Sequence, residues 1–161
     1  MDLLTAAKAF SSNPSNVEAL TTFMEKLGEC MSINELKSIL DIDLENVAGP
    51  ALGRLTDLAP TDLEALLSAA IWSYHYGLDA EAQTYLAKAK AVGPLELNVL
   101  QVEIYISYSF GPEYVHALCE SALKSFPNDD WLSTTKQSIE KTGELTEMRG
   151  PPIHLAWQKA K

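Results

Sequence analysis

The sequence predicts an all-α fold built from stacked helix–turn–helix units. Two observations predict it. Apolar residues recur at i, i+3, i+4 and i+7 along most of the chain, and no run of alternating apolar and polar residues is long enough for a sheet. The punctuation is periodic as well. Pro60, Pro94 and Pro127 stand 34 and 33 residues apart, and Gly77 and Gly111 each follow the preceding proline by 17. An internal period of 33–34 residues with a glycine at its middle is the mark of helix pairs stacked in a row.

About nine helices follow from these signals, near residues 2–11, 17–30, 33–41, 48–58, 62–76, 79–92, 95–109, 112–126 and 129–142. Pro14 separates the first two, and Asn16 is placed to cap the second. Ala48, Leu52, Leu55 and Leu58 mark the fourth, which Pro60 closes. Asp62 is a cap for the fifth, whose stripe is Leu63, Leu66, Leu67, Ala70, Ile71 and Tyr74. Gly77 allows a tight turn into the sixth, carried by Ala82, Tyr85, Leu86, Ala89 and Val92 and ended by Gly93-Pro94. The seventh contains a locally alternating stretch, Val102 to Ser107, inside a helical pattern. After Gly111, the residues Val115, Leu118, Cys119, Ala122 and Phe126 set the eighth. Asp129 caps the ninth, and Gly143 ends it. Residues 1–143 thus form one helical domain, and residues 144–161 a tail containing Gly150-Pro151-Pro152.

Residues 63–96 closely resemble a tetratricopeptide repeat. The resemblance rests on the 34-residue length, the turn Tyr76-Gly77-Leu78-Asp79, then Ala80-Glu81-Ala82, Leu86, Lys88-Ala89 and Pro94. Ala70, Ala82 and Ala89 are small where two helices pass closest, and a large side chain at Ala82 would force the pair apart. Residues 97–128 are similar but weaker. They keep Gly111, Ala122 and Pro127, yet are one residue short, with Val115 where the family prefers alanine and Glu103 where it prefers an apolar residue. Residues 17–62 resemble degenerate units: 17–30 look like a first half, 48–60 like a second half, and 33–47 do not fit.

The resemblance implies a right-handed α–α superhelix whose first helices line a concave face that grips an extended peptide or a partner's helix. By that analogy the inward stripe on the fifth helix is Glu64, Leu67, Ile71, Tyr74 and His75. On the seventh it is Asn98, Gln101, Tyr105, Tyr108 and Ser109. Tyr74, Tyr105 and Tyr108 read equally as interface residues with a polar tip and as core between adjacent repeats. The stripe lacks the Lys/Arg clamp with which carboxylate-binding versions hold a C-terminus, which disfavours that ligand.

Composition narrows the partner. The 161 residues carry 12 bases against 22 acids, a formal charge of −10, and 47% are hydrophobic, enough to bury a core. Such a charge argues against a phosphate-backbone binder and against an anionic membrane surface. The charge-free stretch Ala65 to Leu78 is 14 residues, short of a bilayer span. Met1-Asp2 opens the chain with no basic n-region, which predicts no secretory signal and a cytoplasmic location. Cys30 and Cys119 belong to no CxxC and read as free, small buried hydrophobes.

The acidic excess lies in residues 1–127, whereas residues 128–161 carry five acids and five bases, with Arg149, Lys159 and Lys161 near the end. The pattern points to a basic or apolar partner, or to a solvated acidic surface. In the tail, Pro152 to Trp157 is placed to start a short helix with Ile153, Ala156 and Trp157 on one face. A tryptophan there has three destinations: a cap on the last helix, a cover over the groove, or another chain.

Chemistry is absent from the motifs. His75, His116 and His154 are scattered, with no metal-ligand spacing. Asp41-Ile42-Asp43 and Asn128-Asp129-Asp130 fit no calcium loop, and no GxGxxG, Walker or GxSxG motif occurs. His116 and Cys119 share a helix face without a third group. The sequence therefore predicts neither an enzyme nor a cofactor or metal site. It predicts a protein-interaction module, a scaffold, adaptor or assembly subunit, whose binding residues include Trp157. The alternatives are a small acidic export or assembly chaperone and a self-assembling structural subunit whose groove is filled by its own tail or a second copy.

Overall fold

The computed structural model describes residues 1–145 and 149–157. Their regular structure is entirely helical: α1 (Leu3–Ser12), α2 (Val17–Glu29), α3 (Ile33–Ile39), α4 (Ala48–Leu58), α5 (Leu63–His75), α6 (Asp79–Val92), α7 (Leu97–Ile106), a 3-10 turn (Tyr108–Phe110), α8 (Pro112–Ser125) and α9 (Asp130–Thr142). Among the described residues no helix is long and apolar enough to cross a membrane.

Side-chain caps start α1, α2, α3, α5 and α9. Asn16 Oδ1 accepts from the Ala19 N–H at 3.0 Å, Asp62 Oδ1 from Ala65 at 3.3 Å, and Asp129 Oδ1 from Leu132 at 2.8 Å. Asp2 and Ser32 cap α1 and α3 in the same way, through Thr5 and Glu35. Gly77, Gly111 and Gly143 take φ of 71°, 95° and 67°, which glycine alone reaches without strain.

From α3 to α9 consecutive helices pack on one another, as do α1 and α2, and α1 also meets α3, α2 meets α4, and α5 meets α7. Three apolar clusters succeed each other along the chain. The first joins α1–α4 to Ala65 and Ala69 of α5, the second joins α5, α6 and α7, and the third joins Ile104 of α7 to α8 and α9. The shared helices are continuous with both neighbours because they are apolar on more than one side, and a helix apolar all round belongs inside.

The sequence misplaced some boundaries. Residues 17–29 do not open a helix pair. They close one, since Phe23 and Leu27 of α2 join Ala6, Ala7 and Phe10 of α1 in the first cluster, with the Phe10 and Phe23 rings stacked 5.4 Å apart. Residues 33–47, which fit no repeat, form α3 and a turn that delivers the chain to α4. Asp43 Oδ1 accepts from the Glu45 and Asn46 N–H groups, each at 3.0 Å, and holds that turn. The predicted helix 95–109 stops at Ile106. The Ser107 N–H is shared between the Glu103 and Ile104 carbonyls, and the tighter 3-10 turn leads into Gly111-Pro112, where a helix cannot continue. The tail helix predicted at 152–157 does not form. Two adjacent prolines remove two donors, and six residues are too few to repay helix nucleation. The segment bends at Pro152, where the Ile153 N–H donates to the Pro151 carbonyl at 2.8 Å, and turns again at Ala156-Trp157.

Candidate functional site

Residues 149–157, here called the strap, run across one face of the helical body. The strap starts beside α9, where the Trp131 indole N–H donates to the Arg149 carbonyl at 3.1 Å. At Ile153 and His154 it closes a recess with Leu63, Glu64, Leu67 and Asn98, on the facing sides of α5 and α7. The Ala156 N–H then donates to Ser68 Oγ of α5 at 2.7 Å. Ile153, Leu155 and Trp157 pack on the second cluster, and Ala156 and Trp157 on the first. His154 is exposed between the half-buried Ile153 and Leu155.

Ser68 is the residue that sequence reading missed. It is completely buried near the middle of a helix whose other interior positions are nearly all apolar. A hydroxyl buried there needs a partner, and the strap backbone supplies it. The signal was present as a lone polar residue within Ala65 to Ile71.

The nine predicted binding residues do not form one surface. Glu64 and Asn98 line the recess under Ile153 and His154. Glu64 is held at 3.4 Å from Lys37 Nζ of α3, with His154 Nε2 at 4.0 Å from its other oxygen. Leu67 and Ile71 lie in the interior, 3% and 2% exposed. Gln101 is interior too, at 1%, and its Nε2 donates to Asp129 Oδ2 at 3.2 Å while its Oε1 is buried without a partner among the described residues. Tyr74 turns toward Asp79, Ala82 and Gln83 of α6, at the edge of the face. Ser109 lines that same recess, because the 3-10 turn takes it off the α7 stripe.

Tyr74, His75, Tyr105 and Tyr108 make a ladder of rings. Tyr74 meets Tyr105 edge-on at 5.5 Å, and Tyr105 is 6.3 Å from Tyr108. His75 Nε2 pairs with the Tyr105 hydroxyl at 2.8 Å. Partial burial pulls His75 below its ordinary value and pushes Tyr74 and Tyr105 above theirs, with Asp79 and Tyr74 respectively adding to the rise. Tyr108 is pushed furthest, again chiefly by burial. All four are therefore neutral near pH 7, and the ladder is an apolar wall with hydroxyl tips.

Beyond the ladder, Tyr108, Trp131, Thr135, Ile139, Leu145 and Pro152 border a cavity of about 400 Å³ between α9 and the strap. Trp157 seats at the far end, on α5, and is half-buried. Of the tail's basic residues Arg149 is exposed, whereas Lys159 and Lys161 lie outside the described residues.

Among the described residues no group of three His, Cys, Asp or Glu comes together to hold a metal ion. The two thiols are both free and buried, and burial pushes Cys119 up to about 11. The face presents an apolar floor, the buried Ser68 hydroxyl, and the carboxylates of Glu64 and Glu96 at one rim. No protein-family model matches the chain, and no curated protein or solved structure matches it significantly.

Proposed function

We propose that this chain is a protein-interaction module, a scaffold, adaptor or assembly subunit, in which the face of α5, α7 and α9 takes an extended segment of a partner protein. The helix pairs α1–α2, α3–α4, α5–α6 and α7–α8, with α9 closing the row, support a tetratricopeptide-like superhelix whose concave side is that face. The observation that carries the reading is the strap. A stretch of the chain's own tail without helix or strand is bound there, with Ile153 and Leu155 on an apolar cluster, His154 between them exposed, and the Ala156 N–H on the buried Ser68 hydroxyl. Main-chain hydrogen bonding with pockets for alternate side chains is how extended peptides are recognised.

The partner segment is apolar at alternate positions and carries a cationic or imidazole group facing Glu64. Catalysis plays no part in this reading. A peptide array tests it. Segments of the form aliphatic-x-Leu-x-aromatic are probed with the full chain carrying Ile153→Asp and Trp157→Asp, which vacates the face. Saturable binding that Asn98→Trp abolishes is the expected result, and equal binding to scrambled sequences would overturn the reading.

The same strap favours a second reading, a structural subunit permanently closed by its own tail. There the vacated face captures no peptide on the array.

A further inference from the structure

Resting on the reading above, we infer that the strap is a resident and exchangeable occupant of the partner site. A partner segment reproduces its alternating apolar pattern and binds by displacing it.

The strap is built to be bound. The rings of Pro151 and Pro152 restrict φ at both positions, and the Ile153 N–H closes on the Pro151 carbonyl at 2.8 Å, so little backbone freedom is lost on docking. Ile153, Leu155 and Trp157 reach the clusters while His154 between them stays outside. It is also built to leave. Its three apolar anchors are only partly buried, whereas Leu66, Val99 and Val102 of the cluster they pack against are fully buried. Removing the strap uncovers the floor without dismantling it. Ser68 is the exception, since its hydroxyl loses the Ala156 N–H and is ready for another backbone donor.

Residues 144–148 lie in sequence between Gly143, the C-cap of α9, and the strap. An occupant joined to its own site over so few residues stands at an effective concentration of about 1 mM. For a segment of intrinsic Kd ~10–100 µM, the resident strap weakens a competitor by roughly ten- to a hundredfold, the ratio of those two concentrations. The partner therefore needs either higher affinity or several contacts, and a single weak apolar peptide is excluded.

The test uses a fluorescein-labelled peptide with the sequence of residues 149–157, titrated by anisotropy into three full-length proteins: the natural chain, the Ile153→Asp/Trp157→Asp variant, and Ala156→Pro, which removes the N–H donated to Ser68. Circular dichroism checks that helicity is retained. The expected result is binding to both strap variants at least about tenfold tighter than to the natural chain, lost from each when Asn98→Trp fills the recess. Equal affinity for all three overturns the inference while leaving a peptide-binding face intact. Absence of binding to any of them overturns the inference together with the function it rests on.

Discussion

Three glycines sit inside helices of the first cluster region, and replacing each by alanine should have opposite consequences. Gly49 is in the first turn of α4, and a Cβ built on it would overlap the Trp72 ring. That indole cannot easily step aside. Its N–H donates to the Leu44 carbonyl, and its ring lies 4.6 Å from that of Tyr76. Helix propensity favours alanine by about 1 kcal/mol in a helix interior and by less in a first turn. Against this, forcing the ring out costs overpacking strain of about 1–3 kcal/mol and the indole hydrogen bond, about 1 kcal/mol more. The clash wins, and Gly49→Ala should destabilise by about 2 kcal/mol, which lowers a urea midpoint by about 1 M. Gly53 and Gly28 are the controls. A Cβ at Gly53 meets only the Tyr85 hydroxyl, at 3.8 Å, and one at Gly28 meets nothing within 4 Å. Both should gain about 0.5–1 kcal/mol from propensity alone. The assay is urea unfolding followed by far-ultraviolet circular dichroism, with unchanged m. Adding Trp72→Phe should relieve part of the Gly49→Ala cost, so the double variant is less than additive. A raised midpoint for Gly49→Ala would refute the placement of Trp72 against α4.

Further expectations concern single groups. Asp129→Ala removes the cap of α9 and the acceptor of the buried Gln101 amide, so it should cost about 2 kcal/mol, more than the ~1 kcal/mol of an ordinary cap. The same denaturant titration reads it, and Asp129→Asn should restore most of the loss. His75 is held below the ordinary 6.5 in the folded state, so the unfolded chain binds its proton first. Its contribution is whole above about pH 6.5 and is lost as the pH falls below that value toward the folded pKa, a dependence that His75→Gln should flatten. The Cys119 thiol, buried and raised to about 11, should resist a disulfide reagent in the native chain and react once urea unfolds it. Fast native labelling at Cys119 would contradict its burial.

Much of the helical body was legible because each signal is local. Asn16, Asp62 and Asp129 cap through backbone groups three residues away, and Gly77, Gly111 and Gly143 declare the left-handed positions. The face was harder to read for two physical reasons. On α5 the predicted stripe holds Glu64 and Leu67, which line the recess under the strap, but it omits Ser68, one residue and about 100° beyond Leu67, to which the strap backbone is tied. On α7 the spacing to Tyr108 assumes a helix that ends at Ile106. The strap's path depends on contacts across 88 positions, between Ala156 and Ser68, which no periodicity encodes. In the tail, Pro152 suits a helix start, and nothing local in the sequence opposes that reading.

The strap also alters how the chain melts. Helices that touch chiefly their neighbours form a one-dimensional array, in which an end pair can fray without consulting the middle. Trp157 rests on both the first and second clusters, and Ala156 is tied to α5, so the carboxyl-terminal segment reports on the amino-terminal half. Closing that long loop raises contact order and couples elements that would otherwise open independently. The Ala156 amide should then exchange with solvent in step with strap opening, well before the α5 amides beneath it. Displacing the strap should broaden the unfolding transition, converting a single cooperative event into the staggered loss of separate helix pairs.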